Sequence, residues 1–521
     1  MTSSPPVPLH HAVAPGAPGR RLVPAALPML AGLLLGACAA VGPEPQAPPP
    51  VDRGGGWSLP QPDGGAAPAE LAQWWRALGD PVLERLIDTA LARNLDLRGS
   101  AARVDEARAL RERAAGGQQA VVAAGASVNR RRQSENGPLP IGRIPGLEAT
   151  QTIHDIGFDA AWEVDLFGAS RRTVQGAQAR LEAARAEAEG VRMRVAAEVA
   201  RTWFGAVGAA QELRAQQQVQ ATLGETLELT RQRRSAGDAS AAEVDLALAQ
   251  WIAAGAALPE IEARRRTALL GLGVLLGAPP ERELALLDAA PQPIALEALP
   301  LGQRADLLRR RPDVLAAEQR LAASTADIGV ATAELFPKLT IAAGGGMQSL
   351  TTGNWFDASS ARFSVLPLIS WRLFDGGRVR AEIRAREAAQ RQAALAYEQA
   401  VLAALGDAER ALGAYQAGLD TLARRQAVLQ AGQRSLAHAQ ARRAAGDITR
   451  IELLAAERSL HEAEGAVARA HTAAAVDLVA LYKALGGGWD APAAAAAAGL
   501  ASVDAAAPAQ GPAAQRNAGT P

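Results

Sequence analysis

The chain has 521 residues and a formal net charge of +0. This net charge gives no electrostatic attraction to nucleic acid or acidic lipid. Aromatic residues make up only 4%, which is low for a large compact globule. Alanine and arginine dominate instead, a mixture that favours long helices with thin contacts. We therefore expect a mainly helical protein with no nucleic-acid partner.

The N-terminus has the pattern of a secretory signal peptide. Arg20-Arg21 precede an apolar run, Leu22 to Leu35, and small residues lead to Cys38, the only cysteine. The stretch Leu35-Gly36-Ala37-Cys38 resembles the lipobox of bacterial lipoproteins, which implies acylation of Cys38 and cleavage before it. Ala39, rather than Asp, implies sorting to the outer membrane. The alternative is a free buried thiol, since a lone cysteine forms no internal disulfide.

Composition divides the chain into segments. These are a signal peptide (1–37), a lipidated extended tether (38–69), a first structural repeat (70–289), a second structural repeat (290–490) and a disordered Ala/Pro tail (491–521). The apolar run of the signal is shorter than the about 20 residues that a transmembrane helix needs, and no later stretch is comparable. If the mature chain crosses a membrane, we expect it to do so as a β-barrel.

The central part of the chain contains an internal repeat. Arg233-Arg234-Ser235-Ala236-Gly237-Asp238 recurs as Arg442-Arg443-Ala444-Ala445-Gly446-Asp447, and the same offset relates Trp162 to Trp371 and Glu243 to Glu452. Each unit spans roughly 200 residues, far more than the about 20–50 residues of a solenoid repeat. Each begins with a helix, continues with a strand pair and ends with two long helices joined by the Arg-Arg-x-Ala-Gly-Asp turn. The sequence thus predicts a duplicated β-β-α-α unit.

Residues 158–167 and 362–374 alternate between apolar and polar side chains with the period of a β-strand. Weaker runs at 121–130 and 338–348 are the candidate hairpin partners, and each run has about the 9–11 residues of a transmembrane strand. The side predicted to face lipid includes Trp162, Phe363, Ile369 and Trp371, whereas Asp159, Glu163 and Arg372 are predicted to face a lumen. An ordinary sheet packed on helices is the alternative.

The remaining pattern is helical and implies an oligomer. Residues 169–233 and 378–443 contain no proline, which predicts helices about 100 Å long, although a soluble coiled coil would have the same composition. Four strands cannot close a barrel, whose known minimum is about 8. Two chains would supply about 8 strands and three would supply about 12, and the polar inward faces favour the larger barrel with an open lumen.

These features occur together with short motifs in a characteristic order. The motifs are Cys38-Ala39-Ala40-Val41-Gly42-Pro43-Glu44-Pro45, Trp74-Trp75, Leu78-Gly79-Asp80-Pro81, Trp162-Glu163-Val164-Asp165-Leu166-Phe167-Gly168, Asp306-Leu307-Leu308-Arg309-Arg310-Arg311-Pro312-Asp313, Phe336-Pro337 and Leu373-Phe374-Asp375-Gly376-Gly377. The chain resembles the TolC-like outer membrane factors, in their OprM/NodT-type lipoprotein branch. The resemblance implies a homotrimer with a 12-stranded outer-membrane barrel and a long periplasmic α-helical barrel. It also implies a passive pore that works with a periplasmic adaptor and an inner-membrane pump of the resistance-nodulation-division class.

The resemblance assigns functional residues to both helix hairpins. Their turns, expected at the periplasmic tip and in contact with the adaptor, include Arg233, Gly237, Asp238, Arg442, Gly446 and Asp447. The aperture of the closed channel is expected at Arg450, Ile451, Glu452, Ala455 and Arg458, with Ala455 where family members often have Asp. Glu452 is expected to pair with Arg450 or Arg458, and Asp238 and Asp447 to cap the helices that follow. Solvated turns and helix faces without a partner are the alternative.

Signals for catalysis and for bound metal are weak. His154, His438, His461 and His471 are scattered and have neither zinc spacing nor the HExxH pattern. We therefore expect no enzyme and no cofactor other than the covalent lipid on Cys38. The alternative to an export channel is a membrane-anchored coiled-coil structural protein without a pore, and the alternating strands favour the channel.

Overall fold

The computed structural model describes residues 40–44, 51, 55–59, 71–134, 148–288, 294–297 and 304–490. Cys38, the signal peptide, most of the tether and the tail from residue 491 lie outside the described residues. The chain divides into two units. The sheet unit comprises Val121–Ala169 and Ala333–Arg372 together with residues 40–41, and the helical unit comprises the other described residues.

The sheet unit is a single antiparallel sheet with the strand order β1-β2-β3-β4. Its strands are β1 (Val121–Arg132), β2 (Thr150–Val164), β3 (Lys338–Ser349) and β4 (Ala361–Ser370). Both predicted hairpins are present, and the pairing of β2 with β3 joins them. The strand predicted over residues 362–374 is too long, because Ser370 pairs with Lys338, the first residue of β3, and no ladder partner follows.

Glycines allow β2 and β3 to lie close together. A Cβ atom on Gly346 would stand 2.2 Å from the carbonyl oxygen of Ile156, and one on Gly157 would stand 2.6 Å from the carbonyl oxygen of Gly345. The Gly344-Gly345-Gly346 run weakens the strand pattern in the sequence. In the sheet, Gly346 and Gly157 exclude larger residues because a neighbouring backbone occupies the space, whereas a Cβ atom on Gly345 would meet nothing closer than 3.9 Å.

The helical unit has the same elements in both halves of the chain. Before the strand pairs lie α1 (Pro81–Arg93) and α2 (Leu95–Gly116) in the first half. The first half then ends with α3 (Ala169–Ser235) and α4 (Ala241–Leu275), of 67 and 35 residues. The second half has α5 (Arg304–Arg310) and α6 (Pro312–Ala333), and then α7 (Arg378–Ala444) and α8 (Arg450–Ala484), also of 67 and 35 residues. The equal lengths express the internal repeat, and the longer helices extend about 100 Å.

The principal core of the helical unit lies around Trp74 and Trp75, which pack with α1, α3, α7 and α8. Trp74 stacks on Tyr482 with ring centroids 4.9 Å apart. Asp80 accepts hydrogen bonds from the first backbone N–H groups of α1 and a 2.7 Å bond from Trp203 Nε1, so it ties α1 to α3. Farther along the helices the buried clusters are small, as the low aromatic content predicts.

The Arg-Arg-Arg-Pro-Asp motif has a structural role in this core. The buried guanidinium of Arg311 donates to both carboxylate oxygens of Asp313, at 2.9 and 2.6 Å, and to the carbonyl oxygen of Ala484 at 3.3 Å. Burial acts to raise the pKa of Asp313, but the hydrogen bonds and charge of Arg311 outweigh burial and leave that pKa lowered. The motif therefore fixes the start of α6 against the end of α8.

Within the described part of the chain, α4 is long and apolar enough to cross a membrane by length and composition alone. The expectation that no stretch after the signal is comparable is therefore wrong for α4. One such helix is weak evidence for a membrane span. Its exposed side chains include Leu246, Trp251, Ile252 and Val274, a surface that also suits packing against another chain.

Candidate functional site

The register of the sheet unit separates its side chains onto two faces. Residues directly opposite each other in an antiparallel ladder share a face. Phe363 lies opposite Gly345, which lies opposite Phe158, and Pro367 is related through Ile341 to Trp162. This face is apolar across all four strands, with the side chains of Val122, Ala124, Val128, Ile156, Phe158, Ala160, Trp162, Val164, Leu339, Ile341, Phe363, Val365 and Ile369.

The opposite face of the sheet carries charged side chains, together with Val121, Leu366 and Leu368. Arg362 of β4 donates to both carboxylate oxygens of Asp155 in β2, at 2.8 and 2.6 Å, and so bridges β3. Gln348 of β3 donates to the same carboxylate at 2.8 Å. Asp159 and Glu163 lie on this face as predicted. A sheet with one apolar and one charged face suits a wall between lipid and a water-filled lumen.

Three of the four residues predicted to face lipid belong to the apolar face. Trp162, Phe363 and Ile369 are 39%, 90% and 70% exposed, respectively, and their contact with lipid remains a prediction. Trp371 lies beyond β4, where its Nε1 donates to the carbonyl oxygen of Leu335 at 3.0 Å. Arg372 also lies beyond β4, 3.9 Å from the carboxylate of Glu334. The prediction that these two residues belong to the strand is wrong because the ladder ends at Ser370, and their predicted contacts with lipid and lumen stay predictions.

The two hairpin turns of the helical unit have matching backbone geometry. Gly237 and Gly446 have φ values of 90° and 84°, a left-handed conformation that favours glycine. The N–H of Asp238 donates to the carbonyl oxygen of Arg233 at 2.8 Å, and that of Asp447 donates to Arg442 at 2.9 Å. These are the hydrogen bonds by which a helix end is closed.

The helices that follow these turns are capped by hydroxyl side chains and not by the two aspartates. Ser240 and Glu243 form a reciprocal capping box at the start of α4, and Thr449 and Glu452 form its counterpart at the start of α8. The predicted caps Asp238 and Asp447 are wrong because both precede the cap position. The sequence contains the signal that would have found the true caps, a Ser or Thr followed three residues later by Glu.

Glu452 is held by its cap. Its Oε2 accepts a 2.6 Å bond from the N–H of Thr449 and a 2.8 Å bond from the Thr449 hydroxyl. The backbone hydrogen bond, followed by that of the hydroxyl, lowers the pKa of the Glu452 carboxyl. The expected pairing of Glu452 with Arg450 or Arg458 is therefore wrong within one chain. The Glu452 carboxylate is bound instead by the N–H and the hydroxyl of Thr449.

Arg450 instead links the two halves of the helical unit. Its Nε and Nη2 donate to the two carboxylate oxygens of Glu225 in α3, at 2.7 and 2.8 Å, and its Nη1 donates to Glu457 at 3.0 Å. The hydrogen bond lowers the pKa of Glu225 and raises that of Arg450. Sequence reasoning found Arg450 but missed Glu225, which lies 225 positions away and has no local motif.

The other predicted aperture residues lie on the first turns of α8 with different surroundings. Arg458 stands 3.6 Å from Glu462 on its own helix. Ile451 is half-buried and Ala455 is exposed. The structure thus brings Arg450 together with Glu225 and Glu457, and leaves Glu452, Ala455 and Arg458 outside that ion cluster.

Comparison with known proteins identifies the family of this chain. A family model described as outer membrane efflux protein matches residues 86–278 and 304–487. The chain belongs to the outer membrane efflux protein family. OprJ of Pseudomonas aeruginosa is 31% identical over 468 residues, which cover 89% of this chain and 95% of OprJ. The pyoverdine export outer membrane protein OpmQ of Pseudomonas putida is 31% identical over 420 residues, covering 80% of this chain and 88% of OpmQ.

A solved structure agrees with the sequence comparison. The outer-membrane channel OprN is 33% identical and superposes with a TM-score of 0.76, covering 86% of this chain and 99% of OprN. The resemblance to TolC-like channels is therefore confirmed, as is the assignment of this efflux protein to the outer membrane as a channel component of an efflux system. The alternative of a structural coiled-coil protein without a pore is set aside.

The family is one of channel proteins rather than enzymes. In the described ranges, no group of three or more His, Cys, Asp or Glu side chains is placed to hold a metal ion. The features described above that suit a channel protein are the two-faced sheet, the hairpin turns and the ion cluster at the start of α8.

Proposed function

We propose that three copies of this efflux protein form one 12-stranded barrel and one helical barrel, and that the trimer is a passive conduit. In this proposal a periplasmic adaptor contacts the hairpin turns, and an inner-membrane pump of the resistance-nodulation-division class supplies the energy. The observation on which the proposal rests is the apolar face that runs without interruption across all four strands of the sheet unit.

The edges of this sheet support closure by further copies of the chain. In the described sheet, β1 and β4 are the outer strands, and each has one neighbour. Open sheet edges do not occur in the hydrocarbon region of a membrane, because their N–H and C=O groups would lack partners there. Pairing β4 of one copy with β1 of the next is antiparallel and continues both faces of the sheet.

The helical unit also exposes apolar side chains that suit contact with other copies. Leu246, Trp251 and Ile252 of α4 and Leu395 and Leu402 of α7 are exposed in the single chain. Large exposed apolar side chains suit contact with a partner in proteins that work in water. Packing between neighbouring helical units would bury these residues.

We assign the gate of the channel to the start of α8. The bidentate pair of Arg450 with Glu225 ties the second helix hairpin to the first, so separating the hairpins requires that this pair break. Ile451, Glu452, Ala455 and Arg458 lie on the same turns and are proposed to line the aperture. Three copies around one axis would multiply the effect of each link.

The proposal includes a lipid anchor at Cys38, outside the described residues. The basic start, apolar run and lipobox-like ending of the N-terminal segment support it. One acyl chain alone gives only marginal membrane binding, so the barrel would remain the principal membrane anchor.

Single-channel recording of the purified protein in planar bilayers tests the conduit. We expect a heat-modifiable trimer that inserts and conducts in discrete steps. A monomer that does not conduct, at protein concentrations where the fold is intact by circular dichroism, would overturn the proposal.

A further inference from the structure

Helix α8 crosses α3 at a place where the two helices lie close together. A Cβ atom on Gly208 of α3 would overlap the side chain of Thr472 in α8. About two turns farther along α3, Ala215 faces Gly465 of α8, and a Cβ atom added to Gly465 would stand 3.5 Å from that of Ala215. The distance between packed helices depends on the side chains at the contact, and small residues shorten it. We call this region the α3–α8 crossing.

A carboxylate lies at the centre of the α3–α8 crossing. Glu212 of α3 is only 9% exposed. Its Oε1 accepts a 3.0 Å hydrogen bond from Arg469 of α8, and its Oε2 accepts a 2.7 Å bond from Arg264 of α4. Separating α8 from α3 at this level would take a partner away from a buried charge, which is strongly unfavourable. Glu212 therefore holds three helices together at the crossing.

The ion pair near the hairpin turns is of a different kind. Arg450 and Glu225 are 32% and 47% exposed, and exposed ion pairs contribute little to stability. Arg450 lies about 28 Å from Arg469 along α8. Helix α8 is thus held firmly to α3 at the crossing and weakly at its own start.

We propose that the α3–α8 crossing is the pivot of the gate, about which α8 turns when the Arg450–Glu225 pair breaks. This rests on the proposed function, which assigns the gate to the start of α8. A rotation of about 10° at the crossing moves the start of α8 by about 5 Å, because the two lie about 28 Å apart. Such a displacement separates Arg450 from Glu225 and leaves the contacts of Glu212 in place. The alternative motion, in which α8 leaves α3 along its whole length, breaks both.

A disulfide at the crossing distinguishes the two motions. In the double variant Ala215→Cys, Gly465→Cys the Cβ atoms would stand 3.5 Å apart, which lies within the range of about 3.5–4.5 Å that disulfides need. The two cysteines are introduced into Glu225→Gln, and Cys38→Ala removes the only native cysteine. Purified trimers are oxidised, the disulfide is verified by mass spectrometry, and the open probability is recorded in planar bilayers before and after reduction.

The pivot predicts that the disulfide does not hinder opening. We expect the oxidised and reduced proteins to have open probabilities within about twofold of each other. Both should exceed the value for the same cysteine variant with Glu225 intact by at least about threefold. Glu225→Cys with Arg450→Cys is the control at the other end of α8. It should open readily when untreated and stay closed when a bis-maleimide bridges the two cysteines.

The role of Glu212 is tested with the same crossing cysteines and with Glu225 intact. Glu212→Gln keeps the size of the side chain but removes the charge that Arg264 and Arg469 bind, so we expect current through the closed channel to rise. Oxidation should return this current to the level of the protein with Glu212, because the disulfide replaces the lost link. A current that oxidation does not lower would overturn the assignment of Glu212 to the pivot.

Three results would overturn the pivot as a whole. These are a disulfide that does not form, a disulfide that prevents opening until it is reduced, and a bridged control that still opens. A reduced Glu225→Gln protein that opens no more often than the wild type would overturn the gating pair and the pivot together. In all these cases a wild-type protein that conducts retains the proposed conduit, whereas a wild-type protein that does not conduct refutes the proposed function itself.

Discussion

Arg450 at the start of α8 forms a bidentate ion pair with Glu225 in α3, and the pair joins helices from the two halves of the chain. Both side chains are partly exposed, at 32% and 47%. Glu457 also accepts a hydrogen bond from Arg450, so the guanidinium has a second carboxylate partner on its own helix. The pair is one link between the two hairpins in the described helical unit; Arg469 of α8 also donates to the carboxylate of Glu212 in α3, at 3.0 Å.

Removing this link should favour the open channel. An exposed ion pair contributes about 0.2–1 kcal/mol, so three pairs that break together would shift the closed-to-open equilibrium by about threefold to about a hundredfold. We expect Glu225→Gln to raise the open probability in planar bilayers and antibiotic leakage in cells. Glu228→Gln, one turn farther along α3, is the matched control. Identical behaviour of the two variants would remove the pair from the gating mechanism.

The same pair gives the gate a pH dependence. The hydrogen bond from Arg450 lowers the pKa of Glu225 below its ordinary value of 4.5. A lowered pKa means that the stabilisation is complete above that ordinary value and is lost as the pH falls through the lowered one. We expect closed-state conductance to stay constant from neutral pH to about 4.5 and to rise on further acidification. In Glu225→Gln this rise should be smaller, and an unchanged acid response would assign it to other carboxylates.

Comparing variants of Glu452 and Glu243 can distinguish a role in gating from a role in helix capping. Both carboxylates close a capping box, and hydrogen bonds from Thr449 or Ser240 lower the pKa of each. Glu452→Ala and Glu243→Ala should therefore lower the thermal unfolding midpoint by similar amounts. Only Glu452→Ala should change single-channel conductance, because only Glu452 is placed at the proposed aperture. Equal conductance in both variants would leave Glu452 with a capping role alone.

Periodicity in the sequence predicted the elements well. Alternation at 158–167 and 362–374 identified β2 and β4, and the absence of proline identified α3 and α7. The alternation is visible in the sequence because successive residues of a two-faced strand lie in different surroundings, one apolar and one polar. Strand ends were less certain, since Trp371 and Arg372 continue the alternation after the ladder partner has ended.

Side-chain partners could not be predicted in the same way. Glu225 and Arg450 meet only because the repeat folds α8 beside α3, and nothing local in either segment records this. The capping boxes were readable, yet the neighbouring Asp238 and Asp447 offered a competing assignment that only the backbone geometry resolves. The apolar residues of α4 have two interpretations in the sequence. A helix that packs against another copy of the chain can have the same length and apolar composition as a helix that spans a membrane.

The lipid anchor at Cys38 can be tested apart from the channel. Cys38→Ala should abolish acylation, detected by mass spectrometry of the mature chain, and should weaken retention in the membrane fraction. Because one acyl chain contributes only part of the membrane affinity, the variant should still trimerise and conduct. An unmodified Cys38 in the mature wild-type protein would refute the lipoprotein assignment.

The final prediction concerns the two faces of β4. Phe363 and Ser364 are neighbours on the strand, but Phe363 lies on the apolar face and Ser364 on the polar face with Arg362. An arginine that faces lipid costs about 2–4 kcal/mol at the midplane and less near the interfaces, whereas one that faces the lumen remains hydrated. Phe363→Arg should therefore reduce assembly of heat-modifiable trimer in the outer membrane, with only a small loss for Ser364→Arg. Conversely, Ser364→Arg should alter conductance and ion selectivity, because it adds positive charge to the lumen. Equal assembly of both variants, with equal conductance, would contradict the assignment of the apolar face to lipid.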